Sequence, residues 1–180
     1  MLGTPRKGRM SEHAARVVWD EVGKRPGVET ELIDVAALPI PVDDAGEGAK
    51  DPTFSETMNR ADALIVVTPE YNHGYAGLLK HVLDTNLKEY IHKAAGVVGV
   101  SAGVFGGARA IENLSPVLRE LGLVTIFWDV NFTTVRRRFD EDGNLIDDSF
   151  LAIDKFLDEL LWMAETLRYG RENVTIGGSG

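Results

Sequence analysis

A parallel α/β sheet covered by helices on both faces is the fold this sequence predicts, and three observations predict it. Apolar strand-like runs alternate with stretches of helical period. Two of the runs, Ala63 to Thr68 and Gly96 to Ser101, are continuously apolar, as strands buried on both sides must be. Each of these two passes directly into a glycine-containing bend and then into an amphipathic helix, which is the connection a parallel crossover needs.

The elements follow in order. Met1-Leu2 precede a loop, Gly3-Thr4-Pro5-Arg6-Lys7-Gly8-Arg9, of the type that leaves a strand and enters a helix. The strand that should feed it is almost entirely absent, and the expectation is a natural chain that starts further upstream. Ser11 to Lys24 carries Ala14, Ala15, Val18 and Val22 at helical spacing, with Ser11 as the N-cap. Val28 to Val35 alternates apolar and polar residues and is predicted to be an edge strand. Leu38 to Pro52 is a loop, and Phe54 to Arg60 a short helix. Gly77 to Tyr90 and Ala108 to Leu121 are longer helices, the second predicted to bend or divide at Pro116. Leu123 to Val130 is the last clear strand. Phe139 to Ile146 is a loop whose Asp142-Gly143 signals a tight turn. The final helix keeps one stripe through Phe150, Ile153, Leu157, Leu160, Leu161, Ala164 and Leu167. Phe156 and Trp162 lie off that stripe, for a partner subunit or for a broader core face. With no repeat and no linker, residues 1–170 read as one domain and residues 171–180, ending Gly177-Gly178-Ser179-Gly180, as a flexible tail.

Composition narrows the function. The 180 residues can bury a full core, and 44% hydrophobic with 26% charged content is ordinary for a globular domain. No apolar run approaches the roughly 20 residues that cross a bilayer, and the first residues lack the apolar core of a signal peptide. A cytoplasmic location is the expectation. With no cysteine in the chain, disulfides, thiolate nucleophiles and Cys-ligated metals are ruled out. A net charge of −9 argues against nucleic-acid and anionic-membrane partners. Any anion must therefore find a local positive site.

Three segments carry chemistry. In the opening loop, Thr4, Arg6 and Ser11 supply the donors that a phosphate monoester requires at a helix start, and Arg9 is a further candidate. Next, Pro69-Glu70-Tyr71-Asn72-His73-Gly74-Tyr75 turns sharply after a strand and exposes amides, and Tyr71 or Tyr75 can cover a flat ring. That combination suits a flat heterocycle better than a phosphate alone, and points to a flavin. Within it Glu70 is read as a salt-bridge or helix-dipole partner before an acid, Asn72 as a turn former and His73 as a polar loop residue. The third segment, Ser101 to Arg109 with Gly103, Gly106 and Gly107, repeats the arrangement one strand later. There the partial positive charge of a helix start could favour electron density on a reduced ring; a glycine-rich connector that packs tightly is the plainer reading. The three bends are expected at one edge of the sheet, outside the carboxyl ends of its strands.

Other chemistries lack their residues. There is no HExxH, no G-x-S-x-G and no P-loop Gly-Lys-Ser/Thr, and the four histidines show no ligand spacing, so no metal is expected. Asp140-x-Asp142-x-Asn144 begins like a calcium loop, but Leu145 and Leu151 stand where its Gly and Glu belong. Arg136-Arg137-Arg138 reads as a solvated strand edge.

Taken together, LGTPRKGRMSE, TPEYNHGYAGLLKHVLD and SAGVFGGARAIENL, in that order, resemble the NADPH-dependent FMN reductase family, which includes azo-, quinone- and chromate-reducing enzymes. The resemblance implies a three-layer flavodoxin-like sheet of order 2-1-3-4-5, here with its first strand largely missing. It implies FMN as cofactor and NADPH or NADH as electron donor, with a quinone, azo compound, metal oxyanion or free flavin as acceptor. Thr4, Arg6 and Ser11 look like the phosphate ligands; Pro69 to Tyr75 look like the ring-binding loop; Ser101, Gly103, Gly106 and Gly107 look like the other side of the ring. Ala76 departs from the pattern, in which a Pro is common. No catalytic side chain is implied, because the cofactor carries the chemistry. A homodimer or homotetramer is implied, and the less favoured reading of the Arg triplet becomes a contact for the 2′-phosphate of NADPH. Two competing readings are a flavin-binding electron carrier or sensor with no NAD(P)H reaction of its own, and a scaffold that has lost its flavin.

Overall fold

The computed structural model describes residues 1–41, 49–148, 151–175 and 177. Its centre is a parallel pair, β1 (Ala63–Pro69) and β2 (Ala94–Val100), in unbroken register from Ala63 opposite Ala94 to Pro69 opposite Val100. Apart from the buried Thr68, both runs are apolar because helices cover both faces. On one face α1 (Ser11–Gly23) and α5 (Ile153–Asn173) pack through Ala14, Val18, Phe156, Leu157 and Leu160. On the other, α2 (Pro52–Arg60), α3 (Gly77–Asp84) and α4 (Ala108–Glu120) contribute Phe54, Met58, Leu79, Leu83, Ile111 and Leu114. The start of α2 is well specified: Asp51 caps it by accepting from Phe54 N at 2.7 Å, and Pro52 takes the first turn, where its missing N–H does no harm.

Leu2 makes parallel bridges to Val67 on one side and Asp34 on the other. With Asp34 and Leu2 taken as the second and first strand positions in chain order, followed by β1, β2 and the outer chain that pairs with β2, this is the expected order 2-1-3-4-5, the first two represented by single bridges. The predicted edge strand over Val28 to Val35 is corrected accordingly. Only Asp34 forms a bridge, because Leu2 is nearly all the neighbour that segment has, while Leu2 N donates to Ile33 O and Val35 N to Leu2 O. The buried Met1 ammonium donates to Ile65 O at 2.6 Å, and burial pulls its pKa down from 8.0 to about 5.

Other boundaries move for local reasons. Met10, not Ser11, is the N-cap of α1, and Ser11 is its first residue. Helix α3 stops at Asp84 instead of Tyr90, where Thr85 Oγ1 turns back onto Val82 O. Pro116 does not divide α4. The single strand expected over Leu123 to Val130 is two short ones, β3 (Val124–Thr125) and β4 (Val130–Phe132), both paired to β2. Thr125 and Val130 face Ala95 and Val98, so the outer chain is longer than the stretch it pairs with. The surplus bulges outward, leaving Phe127 81% exposed. Asp129, exposed on this bulge but partly desolvated by its neighbours, is pushed up from 3.8 to about 6, by that desolvation first and by Glu112 second. Phe156 belongs to the core, whereas Trp162 is exposed and Phe150 lies outside the described residues. Helix α5 also runs three residues past the expected tail boundary, where Arg171 pairs with Asp62 at 2.5 Å.

The Arg triplet is not a strand edge. Val135–Arg137 form a 3-10 turn; Arg136 and Arg137 are exposed, while Arg138 is buried and pairs with Asp147 at 2.6 Å.

Candidate functional site

The three glycine-containing bends lie at the same rim, above the carboxyl ends of β1 and β2. Gly3 N donates to Val67 O, which places the opening loop beside β1. Glu70 N donates to Val100 O, which ties the second bend to the end of β2. Ser101 N donates to Phe132 O and Thr134 N to Gly103 O, which ties the third bend to the chain after β4. The first and second bends meet directly: the hydroxyls of Thr4 and Tyr71 are 2.9 Å apart, and the Arg6 guanidinium lies 5.5 Å from the Tyr71 ring centre.

Within the opening loop the candidates separate. Thr4 is buried and Arg6 exposed. Ser11 is 2% exposed and its hydroxyl has no partner, although it sits at the amino end of a 13-residue helix where donors converge. Arg9 is committed elsewhere. Its guanidinium grips the Asp34 carboxylate through two nitrogens, reaches Thr4 O, and lies 3.6 Å from Glu12. Arg9, the further candidate for the phosphate, is here engaged by Asp34 and clamps the opening loop to the end of the 28–35 segment.

The second bend is a two-residue reverse turn. Tyr71 and Gly74 exchange N–H···O bonds of 2.8 and 2.9 Å, with Asn72 and His73 between them at φ 49° and 69°. Positive φ at both central positions is the hairpin geometry that usually demands Asn-Gly. Asn72 tolerates it; His73 is held there because Asn113 Nδ2 donates to its carbonyl at 2.9 Å. The same turn leaves Asn72 and His73 exposed and half-buries Tyr71, Gly74 and Tyr75. Pro69 ends β1. The Glu70 side chain is 6% exposed and Arg109 Nε donates to its Oε1 at 2.7 Å, while Oε2 has no partner. The salt-bridge reading of Glu70 is the one the structure realises.

In the third bend Gly106 and Gly107 take φ of 58° and 86°, and a Cβ on either would strike Asn131 or the backbone of Gly99 and Val100. They are buried against the sheet, which is the tight-packing role. Gly103 and the half-buried Ser101 differ. Gly103 has open space around it and Ser101 Oγ donates to its carbonyl at 3.0 Å. Val104 and Phe105 project from the bend, with Arg109 over the Phe105 ring at 4.8 Å.

The residues the sequence reading missed are partners of those it found: Asp34 for Arg9, Arg109 for Glu70, and Asn113 for His73. An acidic residue closing an alternating segment was the only available signal for Asp34. Arg109 and Asn113 stand 39 and 40 residues from their partners, a distance across which spacing carries no information.

Comparison with known proteins now has a geometry to explain. The family profile described as NADPH-dependent FMN reductase matches residues 1–134. The chain belongs to the NADPH-dependent FMN reductase family. Among similar proteins, the NAD(P)H-dependent FMN reductase of Pseudomonas aeruginosa is 34% identical over 157 residues, covering 82% of this chain and 85% of that protein. The NADPH azoreductase of a Bacillus species is 30% identical over 62% of each chain. The solved structure of the flavoenzyme NAD(P)H:(acceptor) oxidoreductase of Paracoccus denitrificans shares the fold, with TM-score 0.72 and 24% identity over 93% of this chain and 94% of that one. All three bends of this FMN reductase relative fall within the matched residues.

Proposed function

We propose that the chain is an FMN-dependent NAD(P)H oxidoreductase whose flavin lies in the crevice bounded by the opening loop, the Glu70 to Tyr75 turn and the Ser101 to Gly107 bend. The observation that carries the assignment of this crevice is the Thr4–Tyr71 hydrogen bond, which joins the phosphate-type loop to the aromatic turn at one rim. Bound FMN supplies hydride acceptance from a nicotinamide and delivery of two electrons to a quinone or azo acceptor.

The donor set fits a flavin mononucleotide. Thr4, Arg6 and Ser11 are the groups that would hold its phosphate, and the Ser11 hydroxyl is a buried polar atom still without a partner. The amino end of α1 adds its partial positive charge there. Tyr71, Tyr75 and the amides of the second bend would meet the ring, opposite Ser101 and Gly103. Arg109 neutralises the Glu70 carboxylate, so no bare negative charge opposes density building on the ring. No side chain is required as an acid, base or nucleophile.

The quinone and azo acceptors are supported by the names of relatives. Self-association is supported by exposed apolar residues, Phe127, Trp128 and Trp162 on the α5 face and Val104 and Phe105 at the rim; a homodimer or homotetramer is the proposed state. Among the described residues no helix is long and apolar enough to cross a membrane, and a cytoplasmic enzyme is proposed. The test is direct. Protein loaded with FMN should show the flavin absorbance bands and oxidise NADPH or NADH when a quinone is added. Oxidation of neither nucleotide by a fully loaded sample would leave a flavin-binding carrier and remove the enzyme.

A further inference from the structure

The three arginines after β4 divide into one anchor and two open cations. Strand β4 runs parallel to β2, so the chain leaves it at the same rim as the proposed flavin crevice. It passes at once through Thr133 and Thr134 into the 3-10 turn Val135–Arg137. Thr134 N donates to Gly103 O at 2.8 Å and Val135 N to Ser101 O at 3.0 Å. The turn therefore hangs from Ser101 and Gly103, the open part of the third bend. Because β4 lies on the side of β2 away from β1, the turn stands one strand position beyond that bend, outside the crevice.

Arg138 holds the turn in place. Its buried guanidinium donates through Nε to Thr133 O at 3.3 Å, through Nη2 to Thr133 Oγ1 at 3.1 Å and through Nη1 to Asp147 Oδ2 at 2.6 Å. Phe139 follows, buried with its ring centre 6.0 Å from that of Phe132 and 5.4 Å from that of His13 on α1. Thr134 sits at φ 45°, a conformation that only such bracing maintains in a β-branched residue. On this fixed backbone Arg136 and Arg137 are both exposed, and among the described residues neither side chain has a hydrogen-bond, ion-pair or ring partner. Of the acids that follow, Asp147 is engaged by Arg138, and Asp140 accepts from Asn144 N at 2.7 Å and Asn144 Nδ2 at 3.0 Å. Glu141, Asp142 and Asp148 are exposed to solvent. Two neighbouring guanidiniums repel each other unless an anion lies against them.

We infer that Arg136 and Arg137 receive the 2′-phosphate of NADPH and set a preference for it over NADH, an inference that rests on the proposed flavin site. A nicotinamide has to lie against the ring end of the crevice. The opening loop is given to the flavin phosphate, so the rest of the dinucleotide runs the other way, over the third bend towards the outer strand. There the turn offers no row of amides of the kind that holds a pyrophosphate at a helix start, being three residues of 3-10 geometry. It offers two planar forks of N–H donors instead, which match a terminal phosphate monoester. An arginine is also the group that accommodates a 2′-phosphate where other α/β folds take NADP. The role is one of binding and selection: no step of the hydride transfer passes through either guanidinium.

The test uses the parent, the double variant Arg136→Gln with Arg137→Gln, and the double variant Arg136→Lys with Arg137→Lys. Calorimetric titration with adenosine 2′,5′-bisphosphate and with adenosine 5′-monophosphate reads the site without any hydride transfer. The parent should bind the bisphosphate at least about tenfold more tightly; the Gln pair should lose that difference and the Lys pair keep part of it. In FMN-loaded protein with an uncharged quinone, the ratio of kcat/KM for NADPH to that for NADH should fall about tenfold in the Gln pair, through KM. No preference for the bisphosphate in the parent would overturn the inference. So would equal losses with both nucleotides, which would make the pair structural or a pyrophosphate contact. A fall in FMN affinity, or a selective loss with a sulfonated naphthoquinone over an uncharged one, at an unchanged nucleotide ratio, would assign the pair to the flavin phosphate or to an anionic acceptor and overturn it equally. Should loaded protein oxidise neither nucleotide, the proposed activity falls, and the bisphosphate titration still decides the arginine pair.

Discussion

Adding one methyl group at each of two glycines of β2 should separate packing from function. A Cβ on Gly96 would lie 2.4 Å from Phe156 Cζ and 2.6 Å from its Cε2. Carbon atoms sit comfortably at about 3.5–4.0 Å, so the ring must retreat by about 1 Å. Phe156 is fully buried between α5 and the sheet and has little room to do so. Overpacking of this kind costs about 1–3 kcal/mol, offset by about 0.4–1 kcal/mol from the stiffer unfolded chain. A net loss of about 1–2 kcal/mol follows for Gly96→Ala. Phe156→Leu in the same background should recover part of it, with a coupling energy of at least about 1 kcal/mol in the double-mutant cycle.

Gly99 faces the other way. There the added Cβ would meet Gly106 O at 2.5 Å and Gly107 C at 3.0 Å, which are backbone atoms of the third bend, besides Ile111 Cδ1 at 2.9 Å. A backbone cannot swing aside as a side chain can, so Gly99→Ala should cost about 3 kcal/mol and displace the bend. Urea unfolding of the flavin-free proteins gives the stabilities, and titration by flavin fluorescence gives the affinities. Gly96→Ala should bind FMN within about twofold of the parent, and Gly99→Ala at least about tenfold more weakly, or about 1.4 kcal/mol. Parent-like FMN affinity in Gly99→Ala would refute the Ser101 to Gly107 bend as a wall of the site. No coupling between positions 96 and 156 would refute the packing argument.

Three further substitutions or conditions give distinct outcomes. Ser11→Ala removes a buried hydroxyl with no partner, so the flavin-free protein should be unchanged or more stable by up to about 1 kcal/mol in urea, while FMN affinity falls about tenfold; equal affinity would remove Ser11 from the phosphate site. Arg109→Ala strands the buried Glu70 carboxylate. The full penalty for a buried pair is about 3–5 kcal/mol; Arg109 is 43% exposed and water can replace it in part, so about 1–3 kcal/mol is expected in thermal or urea unfolding, and Glu70→Gln with Arg109→Ala should recover part of it. The Met1 amine has its pKa lowered to about 5 in the folded chain against 8.0 ordinarily. The unfolded chain therefore binds the extra proton between those values, and stability should rise by about 2–4 kcal/mol from pH 5 to pH 8. Amino-terminal acetylation should remove that amine's share of the rise in urea midpoints measured across the same range.

Much of this architecture was legible because it depends on patterns that single segments carry. The two continuously apolar runs became β1 and β2, since a strand covered on both faces has no other composition available to it. The bends after them fell at one rim because parallel strands place their carboxyl ends together. What could not be read was pairing across distance. Arg9 presents the same guanidinium to a phosphate or to Asp34, and only the fold decides that Asp34 is close enough to take it. Gly103, Gly106 and Gly107 look equivalent in sequence, yet two are packed against the sheet and one is open. The bulge at Ile126 to Asp129 was hidden because its residues, Phe and Trp among them, have high strand propensity; the surplus over β2 is a property of the pair, not of either chain. Phe156 left its helical stripe on paper but not in space, because Gly96 opens a place for its ring.

The partners found only in the fold also settle the electrostatics of the crevice. Within a chain of net charge −9, the described basic groups on the three bends and the helices they enter include Arg6, Lys7, Arg9 and Arg109. Asp34 answers Arg9, and Glu70 answers Arg109. Arg6 and Lys7 remain exposed on the opening loop, together with the amino end of α1, so the residual positive charge is concentrated at one end of the crevice. The other end, with Tyr71, Tyr75 and Phe105 around a neutralised ion pair, is aromatic and close to neutral. A ligand with a dianionic head and a flat, uncharged body matches that gradient in one orientation only. Reversed, its phosphate would lose the exposed Arg6 and Lys7 and the helix start, and its rings would lie against the water-exposed lysine and arginine of the loop. If FMN lies in the proposed crevice, the polarity of this rim would favour that orientation, through two ion pairs whose acidic members are not themselves required to touch the cofactor.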